Sequence, residues 1–177
     1  TDSDGDGVFD SNDICSDTPP GTPVSANGCA IVISLISASA TASSTGAAGG
    51  AGLAVDGILA SRWESQHGID PSWIALDLGA SYVLSEVIIH WEAANAASYQ
   101  IQGSTDNSNW TPLSNQSGGV FGDRTDTVSV SGIYRYVRMY GISRTSVYGY
   151  SIYEMEVYGS PAVGEDEDAD GVDDSVD

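Results

Sequence analysis

Residues 53–78 have the sequence LAVDGILASRWESQHGIDPSWIALDL. The last six of them, residues 73–78, alternate large apolar side chains with small or polar ones, and this period of two predicts a half-buried β-strand. The first part does not alternate, and Asp56-Gly57 predicts a turn. A turn that carries a carboxylate and exposes backbone carbonyls, with Ser61 close behind it, offers the oxygen ligands that a hard cation such as calcium prefers.

A second alternating strand is predicted at residues 151–158, and Glu154 places a carboxylate near its start. Clusters of Gly, Asn, Asp and Ser separate further candidate strands, whose spacing suits an antiparallel sandwich. These candidates lie at 73–78, 82–92, 98–103, 109–113, 125–130 and 133–140. A Val/Ile/Ser run at 31–39 precedes a predicted loop of small residues at 41–52, and residues 93–97 have room for one helical turn at most.

Together these segments resemble the F5/8 type C, or discoidin-like, domain, whose bacterial members include the family 32 carbohydrate-binding modules. The resemblance covers roughly residues 33–159 and implies an all-β fold, an antiparallel β-sandwich of the galactose-binding-like jelly-roll type, for a domain at 31–160. It rests on AVDG at 54–57, SRW at 61–63, WI at 73–74 with DLG at 77–79, WEAA at 91–94, a hairpin at 106–110, RYVR at 135–138 and YGYS at 148–151.

The charge of the chain is concentrated at its two ends. Five Arg and no Lys oppose 25 acids, which gives a formal net charge of −20. Residues 1–29 hold six of these acids and residues 165–177 hold eight. Such a chain repels phosphate groups, so no nucleic acid is expected as a partner. No apolar run is long enough to span a bilayer, so no membrane insertion is expected.

The first acidic end, residues 2–13, has the sequence DSDGDGVFDSND. Asp at alternate positions of a tight loop can converge on one ion, and Gly permits the sharp bend. The segment resembles a thrombospondin type 3 repeat, and we assign residues 1–30 to it. The alternative is a disordered acidic linker. By the resemblance, calcium is held by the side chains of Asp2, Asp4, Asp6, Asp10 and Asp13 and by the carbonyl of Val8.

The second acidic end, residues 161–177, repeats this spacing and is interpreted as the start of a second repeat. Its corresponding ligands are Asp166, Asp168, Asp170, Val172, Asp174 and Asp177. Disorder is the alternative for this segment. Because the chain begins in one such motif and stops in another, we expect it to be a piece of a larger protein.

Cys15 and Cys29 are the two cysteines of the chain. They can form a disulfide across a short loop. A single pair of cysteines in an acidic segment of the calcium-binding type indicates an oxidising compartment and therefore a secreted protein. A reduced, unpaired couple is the alternative.

The F5/8 resemblance also implies a calcium ion inside the domain. Its side-chain ligands are Asp56, Ser61 and Glu154, and its carbonyl ligands are Leu53, Ile58 and Tyr153. Because this ion ties the opening turn to the last strand, its role is expected to be structural. Without an ion, Asp56 would only cap its own turn.

The same resemblance implies a saccharide site in the loops at one end of the sandwich. Sugar binding needs an aromatic face for the apolar side of the ring and planar polar groups for the hydroxyls. The positions implicated are Arg62, Glu64, His67, Glu92, Asn95, Arg144, Tyr148 and Tyr150, with Glu92 and Tyr148 as the first candidates. Structural alternatives are that Arg62 pairs with a surface acid and that Tyr150 packs beneath its loop.

For function, the resemblance implies a non-catalytic polysaccharide-binding module with calcium-stiffened linkers. Its role is to target an attached secreted glycoside hydrolase or lyase, in the same parent chain, to a β-glucan, chitosan or marine algal glycan. The alternative is an adhesion or scaffold module for a protein or cell surface, but loops with Glu64 and Glu92 are too polar to favour it. Catalysis is not expected, since no nucleophile triad or HExxH motif is present, although the pair Glu64 and Glu92 is the type of residue that glycosidases use.

Overall fold

The computed structural model describes residues 1–162, which form two compact units, the first of residues 1–34 and the second beginning at Leu35. The second predicted calcium repeat lies outside the described residues, together with its six predicted ligands, Asp166, Asp168, Asp170, Val172, Asp174 and Asp177.

Residues 1–162 form nine strands and one short helix, so the predicted all-β class is confirmed. The strands are β1 (Ser34–Leu35), β2 (Ser39–Ala42), β3 (Trp63–Glu64), β4 (Ser72–Trp91), β5 (Ala96–Ser104), β6 (Thr111–Ser117), β7 (Arg124–Ser129), β8 (Ile133–Arg144) and β9 (Ser151–Pro161). The helix is a 3₁₀ turn at Ala51–Ala54. Within residues 1–162, no helix has the length and apolar character that crossing a membrane requires.

The longest strand, β4, belongs to both layers of the sandwich. Its first half pairs with β2 and β8, and its second half pairs with β7 and β9, always antiparallel. The pairing with β8 shifts register between Asp77 and Tyr82. Gly79 lies in this bend with a φ of +82°, a conformation that favours glycine. One strand therefore crosses from one layer to the other at the bend.

The two halves of β4 also supply the centre of the core. Ile74 and Leu76 come from the first half and Val87 and Ile89 from the second, and all four are buried. They pack in one cluster with buried residues of β5, β8 and β9, such as Ile101, Val137, Met139, Ile152 and Val157. Each of these side chains contributes about 1.5–3 kcal/mol to folding through burial of apolar area. The rigid core fixes the ends of the strands from which the loops emerge.

Several predicted boundaries are corrected by the structure. The predicted strands 73–78 and 82–92 form one continuous strand, because residues 79–81 remain part of β4 although the chain bends there. Strand β2 lies partly inside the predicted loop at 41–52, where its small side chains pair with β4. The helical turn considered at 93–97 does not form, since β5 begins at Ala96.

The first unit, residues 1–34, contains loops closed by a disulfide between Cys15 and Cys29. The predicted pairing is thereby confirmed. Val24 and Ala30 form an isolated antiparallel bridge around it. Thr18 is buried here and donates hydrogen bonds to the carbonyls of Cys15 and Gly28. Because so few apolar groups are available, covalent and polar contacts hold this unit together.

Candidate functional site

Loops that follow β2, β3, β4, β6 and β8 enclose a pocket of about 440 Å³ at one end of the sandwich. Five residues that the sequence analysis selected line this pocket together with Ala47, Ala48, Ala94 and Phe121: they are Arg62, Glu64, His67, Glu92 and Tyr148. The structure therefore brings together side chains from widely separated parts of the chain. The pocket is open enough to admit a ligand from solvent.

Glu64 forms the best-ordered polar contact of the pocket. Its carboxylate lies 2.6 Å from His67 Nε2 and accepts a hydrogen bond of 2.9 Å from the backbone N–H of Ala48. Burial alone would raise the pKa of Glu64, but the bonds from His67 and Ala48 hold that pKa below its usual range. Glu64 is therefore an ionised, oriented acceptor.

The second carboxylate, Glu92, lies just beyond the end of β4. Its Oε2 accepts a hydrogen bond of 2.9 Å from the N–H of Ala94. Its Oε1 forms no hydrogen bond with any residue of the described part of the chain. This oxygen remains available to a ligand, because a carboxylate can accept several hydrogen bonds at once.

Two aromatic rings border the pocket. Tyr148 is 49% exposed, and its ring meets the His67 ring edge-on at 5.4 Å between centroids. Phe121 is 56% exposed and comes from the Gly-rich loop between β6 and β7. Exposed rings beside carboxylates supply both kinds of contact that sugar rings need.

Arg62 contributes the positive charge of the pocket. Its Nε is buried and has no hydrogen-bond partner among residues 1–162. Its charge helps to lower the pKa of Glu64. Arg62 forms no salt bridge within the described chain, so the structure does not support the alternative in which Arg62 pairs with a surface acid. A buried donor without a partner is costly and indicates a bond to water or to a ligand.

Two of the predicted sugar ligands, Asn95 and Tyr150, are buried and make their hydrogen bonds within the protein. Asn95 donates from Nδ2 to the carbonyls of Ala93, Val120 and Gly122, and so holds the loop that carries Phe121. Tyr150 is fully buried, which agrees with the alternative that it packs beneath its loop. Its hydroxyl donates a bond of 2.5 Å to Asp70 Oδ1. Both residues support the pocket from below.

Arg144 is also placed differently from the prediction. Its Nε lies 3.1 Å from Asp70 Oδ1, and its Nη1 donates to the carbonyls of Ser146 and Tyr148. These contacts fix the loop that presents the Tyr148 ring. Arg144 is therefore a positioning residue for Tyr148, since its guanidinium is already occupied.

Sequence reasoning missed Phe121 and the backbone at Ala47 and Ala48. The signal for Phe121 was present, because residues 118–122 have the sequence GGVFG, which exposes an apolar pair between glycines. The loops also expose Val120 and Val147, so the expectation of purely polar loops was incomplete. Ala48 carries no side-chain signal, since it contributes through its backbone N–H.

A separate corner of the domain gathers the residues predicted to bind calcium. Glu154 Oε1 accepts hydrogen bonds from the N–H groups of Gly57 and Ile58, and Ser61 Oγ donates to Asp56 Oδ2 at 2.7 Å. Burial and the neighbouring carboxylate of Asp56 together raise the pKa of Glu154 to about 7, although the N–H groups of Ile58 and Gly57 act in the opposite direction. Two carboxylates that share a site in this way are a donor set that suits a divalent cation.

The residues predicted to bind calcium through their carbonyls lie close in sequence to Asp56 and Glu154. Leu53 lies in the 3₁₀ turn that precedes Asp56, and Tyr153 directly precedes Glu154 on β9. The Ile58 carbonyl accepts a bond of 2.9 Å from Ser61 Oγ. Asp56 and Glu154 are thus joined to one turn, as a structural calcium site requires.

In the first unit, Asp2, Asp4 and Asp6 have carboxylate oxygens within 4.8 Å of one another. Asp6 Oδ2 is buried and has no hydrogen-bond partner in residues 1–162. An orphaned carboxylate oxygen beside two further carboxylates fits a cation, because a buried charge needs compensation.

The remaining predicted ligands of this repeat divide into two groups. Asp13 lies near Asp6, since both carboxylates approach the same side of Gly28. Asp10 instead accepts bonds from Thr1 Oγ1 and from both the N–H and the hydroxyl of Ser3. Its carboxylate does not join the cluster of three. Val8 lies in this loop, and its N–H donates to Asp6 Oδ1 at 2.7 Å.

Fold and pocket together define a β-sandwich domain that carries a ligand site in its end loops. Residues 39–155 match the F5/8 type C domain, and the chain belongs to this family. The resemblance inferred from sequence is thereby confirmed for the domain. No curated protein sequence matches the chain.

Solved structures show the same fold. Chitosan-binding module 1 of the chitosanase/glucanase from Paenibacillus sp. IK-5 is 42% identical, with a TM-score of 0.65 over 70% of this chain and 96% of that chain. Module 2 of that enzyme, in complex with chitotriose, is 36% identical, with a TM-score of 0.65 over 70% and 98%. The family 32 module of C. perfringens NanJ, in complex with galactose, shares the fold at 19% identity, with a TM-score of 0.63 over 72% and 99%.

Proposed function

We propose that the F5/8 domain is a non-catalytic module that binds polysaccharide, and that its preferred ligand is a chain of amino sugars. The observation that carries this proposal is the pairing of two carboxylates, Glu64 and Glu92, with two exposed rings, Tyr148 and Phe121, in one pocket. The rings offer apolar faces to a pyranose. The carboxylates accept hydroxyl protons and pair with an ammonium group through charge-assisted hydrogen bonds.

The choice among glycans follows from charge and from relatives. A neutral β-glucan gains nothing from a free carboxylate oxygen beyond a hydrogen bond, and an acidic algal glycan is repelled by Glu64 and Glu92. Arg62 offsets only part of this negative charge. Two relatives of 42% and 36% identity are chitosan-binding modules. Amino sugars therefore match both the pocket and the family members.

Calorimetry with the full chain tests the proposal. We expect oligomers of β-1,4-linked glucosamine to bind, and their N-acetylated and glucose counterparts of equal length to bind more weakly. Glu92→Ala and Tyr148→Ala should each weaken binding by tenfold or more, on the order of 1.4 kcal/mol or more. Glu86→Ala is the matched control. It likewise removes one acid, but Glu86 lies on β4 at the end of the β7-paired segment that is opposite to Glu92. Unchanged binding in both site variants would place the ligand elsewhere.

Calcium is the second part of the proposal. Asp56, Ser61 and Glu154 would hold one ion in the domain, and Asp2, Asp4 and Asp6 would hold another in residues 1–34. At these positions calcium supplies positive charge to carboxylates that otherwise repel one another. The support is the raised pKa of Glu154 and the unpartnered oxygen of Asp6.

The biological setting follows from these two parts. Residues 1–30 would act as a calcium-stiffened thrombospondin type 3 spacer in a secreted protein, where the Cys15–Cys29 disulfide is stable. An attached glycoside hydrolase or lyase would gain from a raised local concentration at its substrate, although each module binds weakly. Small-angle scattering with and without a chelator tests the spacer: the chain should expand when calcium is removed.

One observation favours adhesion as a second candidate. The exposed apolar residues Val120 and Val147 project from the same loops as Phe121 and Tyr148. Such residues can insert into a lipid surface. Sedimentation with neutral phosphatidylcholine vesicles distinguishes the two candidates, because a Val120→Ser, Val147→Ser variant should lose vesicle binding and keep glucosamine binding.

A further inference from the structure

A second pocket of about 450 Å³ lies beside the site described above. Its lining includes Leu59, His90, Asp123, Thr125 and Tyr153, over a floor formed by Trp91 and Arg124. Leu59, Asp123 and Thr125 are exposed. The sequence predicts no role in ligand binding for Leu59, Asp123 and Thr125.

Three segments of chain pass from one pocket to the other. Segment 59–62 runs from Leu59 in the second pocket to Arg62 in the first, segment 90–92 from His90 to Glu92, and segment 121–123 from Phe121 in the first to Asp123 in the second. The shared segments make the two pockets neighbours. Two residues of extended chain span about 7 Å, a distance comparable with one sugar residue of a polymer.

The floor of the second pocket is rigid and its charges are mostly occupied. Arg124 binds Asp126 through Nε at 3.0 Å and donates from Nη2 to the Ala96 carbonyl. Its guanidinium also lies 5.3 Å from the centre of the Trp91 ring. His90 is 3.5 Å from Glu156. The guanidinium of Arg124 is therefore already paired, and the His90 ring faces an acid of the protein.

Asp123 is the charge that remains. It forms no salt bridge with any residue in the described part of the chain. With Glu92 in the first pocket, it gives a carboxylate on each side of the junction between the pockets. A polymer with one ammonium group on each sugar can offer a positive charge to both carboxylates, which a neutral or acidic polymer cannot do.

We propose that the two pockets form one continuous groove, in which Glu92 and Tyr148 hold one residue of an amino-sugar chain and Asp123 and Tyr153 hold a neighbouring residue. This inference rests on the proposed function, because it extends the same ligand across a second subsite. It predicts that affinity rises with chain length and that this rise depends on Asp123.

Calorimetry on the full chain with glucosamine and with its β-1,4-linked tetramer tests the groove. Asp123→Asn keeps the shape of the side chain and should weaken tetramer binding about three- to fivefold, the effect of one surface charge contact. Tyr153→Phe should also weaken it. Binding of the single sugar should not change in either variant. Glu86→Gln is the matched control for loss of one acid outside the groove.

Amide shifts in NMR titrations supply a second measurement. The tetramer should shift amides at 59–60 and 123–125, and the single sugar should shift only those at 64–67, 92–94 and 147–149. If both variants bind the tetramer as the wild type does while Glu92→Ala does not, the groove is wrong and the proposed function stands. If the wild type binds no glucosamine oligomer, the proposed function fails and the inference fails with it.

Discussion

Two buried glutamates of the domain, Glu64 and Glu154, have the same chemistry and opposite pKa shifts. Their exposed fractions are 8% and 5%. Against the effect of burial, bonds from His67 and from the Ala48 N–H keep the pKa of Glu64 low. Burial and the neighbouring Asp56 together raise the pKa of Glu154 to about 7. The protein itself supplies the partners that keep Glu64 ionised, whereas Glu154 faces a second carboxylate, which is the basis of the calcium proposal.

Calcium removal should have the largest effect, and within the domain it should act on Glu154 and not on Glu64. Calcium at about 100 times its dissociation constant adds about 2.7 kcal/mol to the free energy of unfolding. A chelator should therefore lower the melting temperature by about 5–10 °C. Tryptophan fluorescence isolates the domain, because Trp63, Trp73, Trp91 and Trp110 are the four tryptophans of the chain and residues 1–34 contain none.

Two variants sharpen this measurement. Glu154→Gln keeps an oxygen to accept the N–H groups of Gly57 and Ile58 but removes the charge, so it should abolish the calcium response. Without calcium it should be at least as stable as the wild type, because the uncompensated buried charge is gone. Glu64→Gln should keep the full calcium response. A response that survives in Glu154→Gln would remove the ion from this corner.

Truncation of the other glutamate comes next in size. Glu64→Ala should lower the free energy of unfolding by about 1–3 kcal/mol, because the buried N–H of Ala48 loses its acceptor. Glu64→Gln should cost less, since its amide oxygen can replace the carboxylate oxygen toward Ala48. Urea denaturation followed by tryptophan fluorescence measures both. Equal costs for the two variants would show that the bond to Ala48 is not the main contribution.

The pH dependence of Glu64 is the third effect. Because its pKa is lower in the folded state, its ionised form contributes stability above the ordinary glutamate pKa of about 4.3. That contribution is lost as the pH falls through the lower folded value. The advantage of the wild type over Glu64→Gln should therefore shrink as the pH falls below about 4. An advantage that grows on acidification would contradict the assigned direction.

Loss of the imidazole partner should have the smallest effect on stability. The His67 side chain is half exposed, so solvent screens its contact with Glu64. His67→Ala should lower the free energy of unfolding by less than about 1 kcal/mol. Glucosamine binding should fall more than stability does, because the Tyr148 ring loses the ring that it packs against edge-on. His90→Ala, outside this contact, is the control for stability.

Part of the site was predictable from sequence because local motifs mark it. Glu64, Glu92 and Tyr148 stand in or beside the motifs SRW, WEAA and YGYS, and the structure places all three in one pocket. Asn95 and Tyr150 stand in or beside the same motifs and are buried instead. A motif in a loop does not reveal which side chains point outward, because no periodic pattern orders them. Phe121 was missed for the same reason.

The sequence by itself determined the strands, the acidic clusters and the cysteine pair, since each depends on spacing within a short segment. Periods of two, alternating Asp and a short Cys loop are local features. Only the tertiary structure decided that Glu154 meets Gly57, 97 residues away, and that three segments join two pockets. Partners so distant in the chain are brought together by packing of the whole core, and their identity decides whether the pKa of a buried carboxylate is lowered, as for Glu64, or raised, as for Glu154.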